Sequence, residues 1–160
     1  NAANHVISHM IEKLNCPLGE PVMKNGEPVT IKKFDTEKDM VKQIVSRLTE
    51  FESKNFKNIA IICKTVEDCE KMKKAIGRDD IHIISDKDSE YNGGISVVPS
   101  YLSKGLEFDA VIITNADTFN YTKSEVDTKL LYVCITRAMN TLDIYHVDEL
   151  TELLKWLAKI

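Results

Sequence analysis

The residue types that could do chemistry here are Lys104, Glu107 and Arg137, each set in apolar company. Lys104-Gly105-Leu106-Glu107 lies between two apolar stretches, Ile95–Val98 and Ala110–Thr114, each read as a buried strand, with Ser103–Asp109 as the polar loop joining them. Gly105 allows the backbone a positive φ or a close approach to a ligand. Lys104 and Glu107 place opposite charges on either side of it. In a parallel sheet such a loop is expected at the rim where ligands bind. A plain surface turn with a solvated lysine and glutamate accounts for the same residues. Arg137 stands near the end of the apolar run Leu130–Ala138 (LLYVCITRA), which reads as a helix. A surface arginine capping the carbonyl end of that helix is the plain reading.

The elements that position these residues follow from periodicity. Val29–Phe34 alternates and predicts a strand. Thr36 with Asp39 forms a helix N-cap pattern, and Val41, Ile44, Val45, Leu48 and Phe51 mark the inward face of the helix after it. Asn58–Cys63 (NIAIIC) is continuously apolar, as expected of a strand covered on both faces. Thr65 with Asp68 caps a second helix, which carries Val66, Cys69, Met72 and Ile76 inward and stops at Gly77. Ile81–Ser85 predicts a short strand, Asp86–Gly94 an acidic loop, and Asn115–Lys123 a polar loop in which Phe119 and Tyr121 either stack bases or pack down. Ser124 and Asp127 cap the helix leading to Arg137. Thr141–Val147 predicts a last strand. Glu149–Ile160 predicts a closing helix, with Leu150, Leu153, Leu154 and Leu157 on one face and Trp156 beside them. Mostly alternating strand and helix calls for a parallel sheet with helices on both faces.

Composition bounds the rest. At 160 residues the chain is one domain by length, and its 43% hydrophobic and 29% charged content is that of an ordinary globular protein. The net charge of −4 argues against tight DNA or RNA binding by this chain alone. No apolar run approaches the roughly 18 residues of a membrane span, so no membrane partner is expected. Cys16, Cys63, Cys69 and Cys134 form no CxxC pair, which fits free thiols in a reducing cytosol and a cytoplasmic protein. Val6, Ile7, Met10, Ile11 and Leu14 predict an N-terminal amphipathic helix. His5 and His9 on it have no third ligand beside them, so no metal site is expected.

SKGLEFDAVII and LLYVCITRAM, in that order, resemble motifs V and VI of the superfamily 1 helicases of the UvrD/Rep/PcrA type. The wording VPSYLSKGLEFDAVI is most similar to the HelD-like branch, whose members are associated with RNA polymerase. The resemblance implies a second, C-terminal RecA-like domain, one unit over residues 1–160, that begins just after motif IV. No GxxxxGK[ST] occurs, so the P-loop, the Mg²⁺-binding acidic residue and the catalytic base are expected on an N-terminal RecA-like domain of the same protein. ATP would lie between the two. Arg137 would be the arginine finger, Lys104 and Gly105 would lie beside the phosphates, Glu107 would accept from the ribose hydroxyls, and Tyr132 and Thr136 would hold the segment that aims Arg137. Single-stranded DNA would meet Lys64, Thr65, Ser100 and Tyr101. Here Lys64-Thr65-Val66 stands where the family has Arg-Thr-Asn, and Pro99 and Tyr101 stand where it has Thr and His. Those departures weaken the case for processive translocation and favour a HelD-like ATPase that remodels RNA polymerase. A non-enzymatic interaction module on a degenerate helicase fold is the third reading, opposed by the intact KGLE and TRA. A flavodoxin-like or receiver fold would give the same element order, but lacks its acidic pocket here.

Overall fold

The computed structural model describes residues 29–86 and 93–155. The expectations for the N-terminal helix, His5, His9, Cys16, Trp156 and Leu157 lie outside them. Six strands and three helices follow in order: β1 (Thr30–Lys33), α1 (Glu37–Ser53), β2 (Asn58–Cys63), α2 (Val66–Ile76), β3 (His82–Ile83), β4 (Gly94–Pro99), β5 (Phe108–Ile113), α3 (Glu125–Ile135) and β6 (Ala138–His146), with a 3₁₀ turn at Ser100–Leu102. The strands form one sheet in the order β1-β6-β5-β2-β4-β3, and every pairing is parallel.

The apolar run of β2 explains its central place. Successive side chains point to opposite faces. Ala60 and Ile62 join a core with Leu131, Cys134, Ile135, Leu153 and Leu154, whereas Ile59, Ile61 and Cys63 join one with α1 and α2. The sheet is thus covered on both sides, as the sequence predicts. All three capping patterns form: Thr36, Thr65 and Ser124 accept from the amides of Asp39, Asp68 and Asp127 at 3.1–3.2 Å. Gly77 ends α2 with φ of 73°, in the left-handed region.

Four expectations change. The buried row of α1 is Met40, Ile44, Leu48 and Phe51, while Val45 is 39% exposed, as is Val66 at 37%. Val45 sits about 100° round the helix from Ile44, and the sheet covers only one stripe. The strand expected at Ile81–Ser85 shortens to His82–Ile83. Helix α3 stops at Ile135, so Arg137 and Ala138 are not helical: Ala138 already pairs with Phe108 in the sheet. Finally, the closing segment through Lys155 is a series of turns, not a helix. The Thr151 amide donates to the Ala116 carbonyl and the Thr118 amide to that of Glu149, while Leu150, Leu153 and Leu154 are buried. These bonds stitch the segment to the loop after β5.

Candidate functional site

The first group of candidates gathers at the amino ends of β5 and β6. After β4 the chain crosses the α3 side of the sheet through Ser100–Glu107 and enters β5 at its start. The Lys-Gly-Leu-Glu loop therefore runs from the carboxyl end of β4, where Ser103 meets the Ser100 carbonyl, to the amino end of β5. The cause is connectivity: a loop leading into a parallel strand must deliver the chain to that strand's amino end.

The crossover is pinned on its inner side. Ser103 is fully buried, donates its hydroxyl to the Ser100 carbonyl at 2.9 Å and faces the Cys134 thiol at 3.6 Å. The Leu106 amide closes a turn onto the Ser103 carbonyl at 3.2 Å. Gly105 takes φ of +82° within that turn, and a Cβ there would meet nothing within 4 Å. Glycine is needed for conformation, not for clearance. Lys104 and Glu107 are exposed. Asp109 accepts from the amides of Lys57 and Asn58 at 2.8 and 3.0 Å, tying the start of β5 to that of β2.

Arg137 sits beside this loop. Its Nε donates to the Val133 carbonyl at 3.1 Å, Nη1 to the Leu106 carbonyl at 3.2 Å and Nη2 to the Thr136 hydroxyl at 3.3 Å. Its own carbonyl accepts from the Phe108 amide at 2.9 Å. Thr136 donates to the Val133 carbonyl at 3.0 Å, and its amide donates to the Tyr132 carbonyl. Tyr132 packs against the core on this face. The guanidinium is thus fixed between the end of α3 and the Lys-Gly-Leu-Glu turn. A guanidinium has five N–H donors, so among the described residues these three contacts leave two uncommitted. All three acceptors are neutral, and the side chain is partly buried.

The second group lies at the carboxyl ends of β2 and β4, where the crossover begins: the Ser103 amide donates to the Ser100 carbonyl at 3.3 Å. Ser100 is buried and donates its hydroxyl to the Lys64 carbonyl at 2.7 Å. Thr65 is exposed and caps α2. Tyr101 is 50% exposed. Lys64 turns inward: its ammonium donates to Asp127 Oδ1 at 2.6 Å and to the Asn120 carbonyl, and lies 4.8 Å from the centre of the Tyr121 ring. Burial pushes the Asp127 carboxyl up, but the Lys64 ammonium and the Thr122 hydroxyl and amide outweigh it and hold it below the usual carboxylate range. Of the two loop aromatics, Tyr121 is fully buried and Phe119 is 81% exposed.

Residues 94–144, from β4 through β6 and so including Ser100, the Lys-Gly-Leu-Glu loop and Arg137, match the family model for the UvrD-like helicase C-terminal domain. No curated protein matches the chain. Among solved structures, the C-terminal domain of a possible DNA helicase from Lactobacillus plantarum WCFS1 superposes with a TM-score of 0.72 at 31% identity, over 94% of this chain and 89% of that one. The chain belongs to the UvrD-like helicase C-terminal domain family.

Within this UvrD-like domain the candidates thus fall into two groups joined by the Ser100–Glu107 crossover. The structure brings together Lys104, Gly105, Glu107, Tyr132, Thr136 and Arg137, and separately Lys64, Thr65, Ser100 and Tyr101. Sequence reasoning missed Asp127 as the counter-ion of Lys64, seeing it only as the third residue after a helix cap. A lone carboxylate in a first helical turn gave no sign of a partner 63 positions away. It also missed the Leu106 and Val133 carbonyls that hold Arg137, since backbone acceptors leave no mark in a sequence. Among the described residues no helix is long and apolar enough to cross a membrane.

Proposed function

We propose that this single domain is the C-terminal motor domain of an ATP-dependent superfamily 1 DNA helicase or translocase. On this reading it supplies one wall of an ATP site whose other wall is an N-terminal RecA-like domain of the same protein. The observation that carries the proposal is the state of Arg137: a guanidinium fixed by three neutral acceptors, with two N–H donors that bond no described residue. A fixed guanidinium that keeps its charge and further N–H donors suits a phosphate.

The residues present fit part of a nucleotide site and not the whole. Arg137 would meet the γ-phosphate. Lys104 and the Gly105 backbone would lie along the phosphates, and Glu107 would accept from the ribose. Thr136 and Tyr132 set the position of the Arg137 backbone. No phosphate-cradling loop of the GxxxxGK[ST] kind is present, so Mg²⁺ and the attacking water are assigned to the facing domain. ATP supplies the phosphoryl group; this chain contributes the charge that stabilises its transfer. Because Arg137 touches the Leu106 carbonyl, a shift of the loop carrying Glu107 moves the guanidinium with it.

At the carboxyl ends of β2 and β4, Thr65 and Tyr101 are exposed to meet single-stranded DNA, with Tyr101 able to stack on a base, whereas Ser100 is buried and its hydroxyl holds the Lys64 carbonyl. Lys64 would have to leave Asp127 to contribute its charge. That pairing, with Pro99 and Tyr101 in place of Thr and His, favours a second reading: a HelD-like ATPase that acts on RNA polymerase without processive unwinding. Strand displacement and RNA polymerase release, assayed side by side on the parent protein, separate the two.

Two outcomes test the main reading. The 160-residue chain alone should neither turn over ATP nor bind it at micromolar concentration, because it holds one wall of the site; calorimetric binding at that level would overturn the shared-site arrangement. Glu107→Ala in the parent protein should raise KM for ATP with little change in kcat. A ribose contact is made about equally in the ground and transition states. A hydrogen bond to a charged group contributes about 1.5–3 kcal/mol, so the rise should be about tenfold or more. A collapsed kcat at unchanged KM would give Glu107 a different role.

A further inference from the structure

Phe119 is 81% exposed, and the turn that carries it is built without help from its ring. The Asp117 carboxylate accepts from the amides of Phe119 and Asn120 at 3.0 and 2.9 Å and from the Asn120 side chain at 3.0 Å. The Tyr121 amide donates to the Asp117 carbonyl at 3.0 Å, the Thr118 amide donates to the Glu149 carbonyl, and the Tyr121 ring is buried in the core. The chain on both sides of Phe119 is thus fixed, and the phenyl ring is held out in solvent. Leaving it there forgoes the free energy of burying it. A ring on a fixed turn, with few torsions of its own, loses little freedom when something docks on it.

Phe119 is not alone. Among the described residues the exposed large apolar side chains are Val45, Val66, Tyr101, Phe119 and Val126, and all but Val45 stand at the carboxyl ends of β2, β4 and β5. Val66 and Val126 lie in the first turns of α2 and α3, Tyr101 follows β4 and Phe119 follows β5. In the sheet β2 lies between β4 and β5, with Cys63 paired to Pro99 and Ile62 to Ile113, so these strand ends are level. The ends that lead to Tyr101 and Phe119 are therefore two strand spacings, about 10 Å, apart. Lys64 ties the two sides together: its carbonyl accepts from Ser100, the residue before Tyr101, and its ammonium donates to the carbonyl of Asn120, the residue after Phe119. The charges here are largely spent on one another, with Asp117 on the amides of its own turn, Asp127 on Lys64 and Glu125 on Lys129, while Thr65 and Lys123 are exposed. Exposed aromatic rings on either side of a lysine suit a ligand with repeated flat faces, and a single-stranded nucleic acid offers one on every base. At a rise of about 3.4 Å per stacked nucleotide, about three nucleotides cover the gap between the two strand ends.

We propose that Phe119 is a base-stacking residue that carries the single-strand track from Tyr101 across the end of β2 to the loop after β5. The inference rests on the DNA reading given above and adds to it a residue and a course for the strand. With most nearby charges already paired, stacking rather than phosphate neutralisation supplies the affinity at this site, so binding should depend little on salt.

The 160-residue chain is titrated by NMR with octathymidylate at low salt, alongside Phe119→Ala, Phe119→Leu and Phe119→Tyr. Saturable shifts are expected at Thr65, Tyr101 and Phe119. Phe119→Ala should weaken binding roughly five- to a hundredfold, the loss of one base stack. Its melting temperature should not move, because the ring it removes is exposed and the turn is held by Asp117. Phe119→Tyr should bind like the unaltered chain, and Phe119→Leu, apolar but without a π face, like Phe119→Ala. Raising salt from about 50 to 200 mM should weaken binding less than about tenfold, far below the loss seen when many phosphates are neutralised. Shifts at Thr65 and Tyr101 with unchanged affinity in Phe119→Ala would overturn the role of Phe119 and leave the DNA reading standing. No saturable shift at any residue would overturn both. Full affinity in Phe119→Leu would overturn stacking and make the patch an apolar docking surface for a protein.

Discussion

Replacing Arg137 with alanine in the parent motor is expected to lower ATP turnover at least about a hundredfold while the domain stays folded. Phosphoryl transfer spreads charge over the equatorial oxygens of the moving group, and a guanidinium from the facing domain stabilises it by a factor of roughly 10³–10⁵ in other systems. The lower figure allows for domain closure that is incomplete without substrate. A cost in stability should accompany the loss, because Arg137 also covers the Val133 carbonyl at the end of α3 and bonds the Leu106 carbonyl. A cation at a helix carboxyl end contributes about 0.3–1 kcal/mol. Arg137→Lys should recover only part of the turnover: an ammonium keeps the charge but cannot bridge Val133, Leu106 and Thr136 while presenting a planar pair of donors. ATPase rate and melting temperature measured on the same two variants decide the matter. If Arg137 serves only as a cap, both variants lose a little stability and hydrolyse ATP almost normally once folded, and the finger assignment fails.

Lys64→Ala should destabilise the domain by about 1–3 kcal/mol, the cost of leaving a desolvated polar group without its partner, the larger cost for a charge being tempered here by the residual exposure of Asp127. The side chains of Lys64 and Asp127 are 20% and 15% exposed, so the pair is well shielded from water. Lys64 also joins the end of β2 to a stretch far along the chain, the Asn120 turn and the first turn of α3. The sign of the pH dependence follows from Asp127. Its folded pKa lies below the ordinary value, so its stabilisation is present above the unfolded carboxylate pKa, about 3.9, and is lost as pH falls through the folded one. The gap between Lys64→Ala and the unaltered protein should therefore be full at pH 7 and shrink below about pH 4. Asp127→Asn in the Lys64→Ala background should recover part of the loss, since an amide costs less to leave unpaired than a carboxylate. Urea melts across pH read all three effects. A pH-independent gap, or none, would mean that the ion pair contributes nothing, and Lys64 would then be free to act on a nucleic-acid phosphate.

Short-range physics was legible in the chain. The three helix starts needed only a hydroxyl followed three residues later by a carboxylate-bearing residue whose amide it accepts from. The burial of β2 needed only its unbroken apolar run, and the stop of α2 needed only Gly77. The resemblance of KGLE and TRA to helicase motifs pointed to the family to which the chain belongs. The strand order, and with it the end of the sheet at which each loop emerges, was decided by tertiary structure, because it depends on which strands pair across the chain. That order sends the Lys-Gly-Leu-Glu loop from the carboxyl end of β4 to the amino end of β5. It also ended α3 at Ile135, since Ala138 is needed in register with Phe108. Contacts between distant residues were decided the same way: Lys64 reads as a free cation in sequence and becomes the partner of Asp127 only when β2 and α3 are brought together.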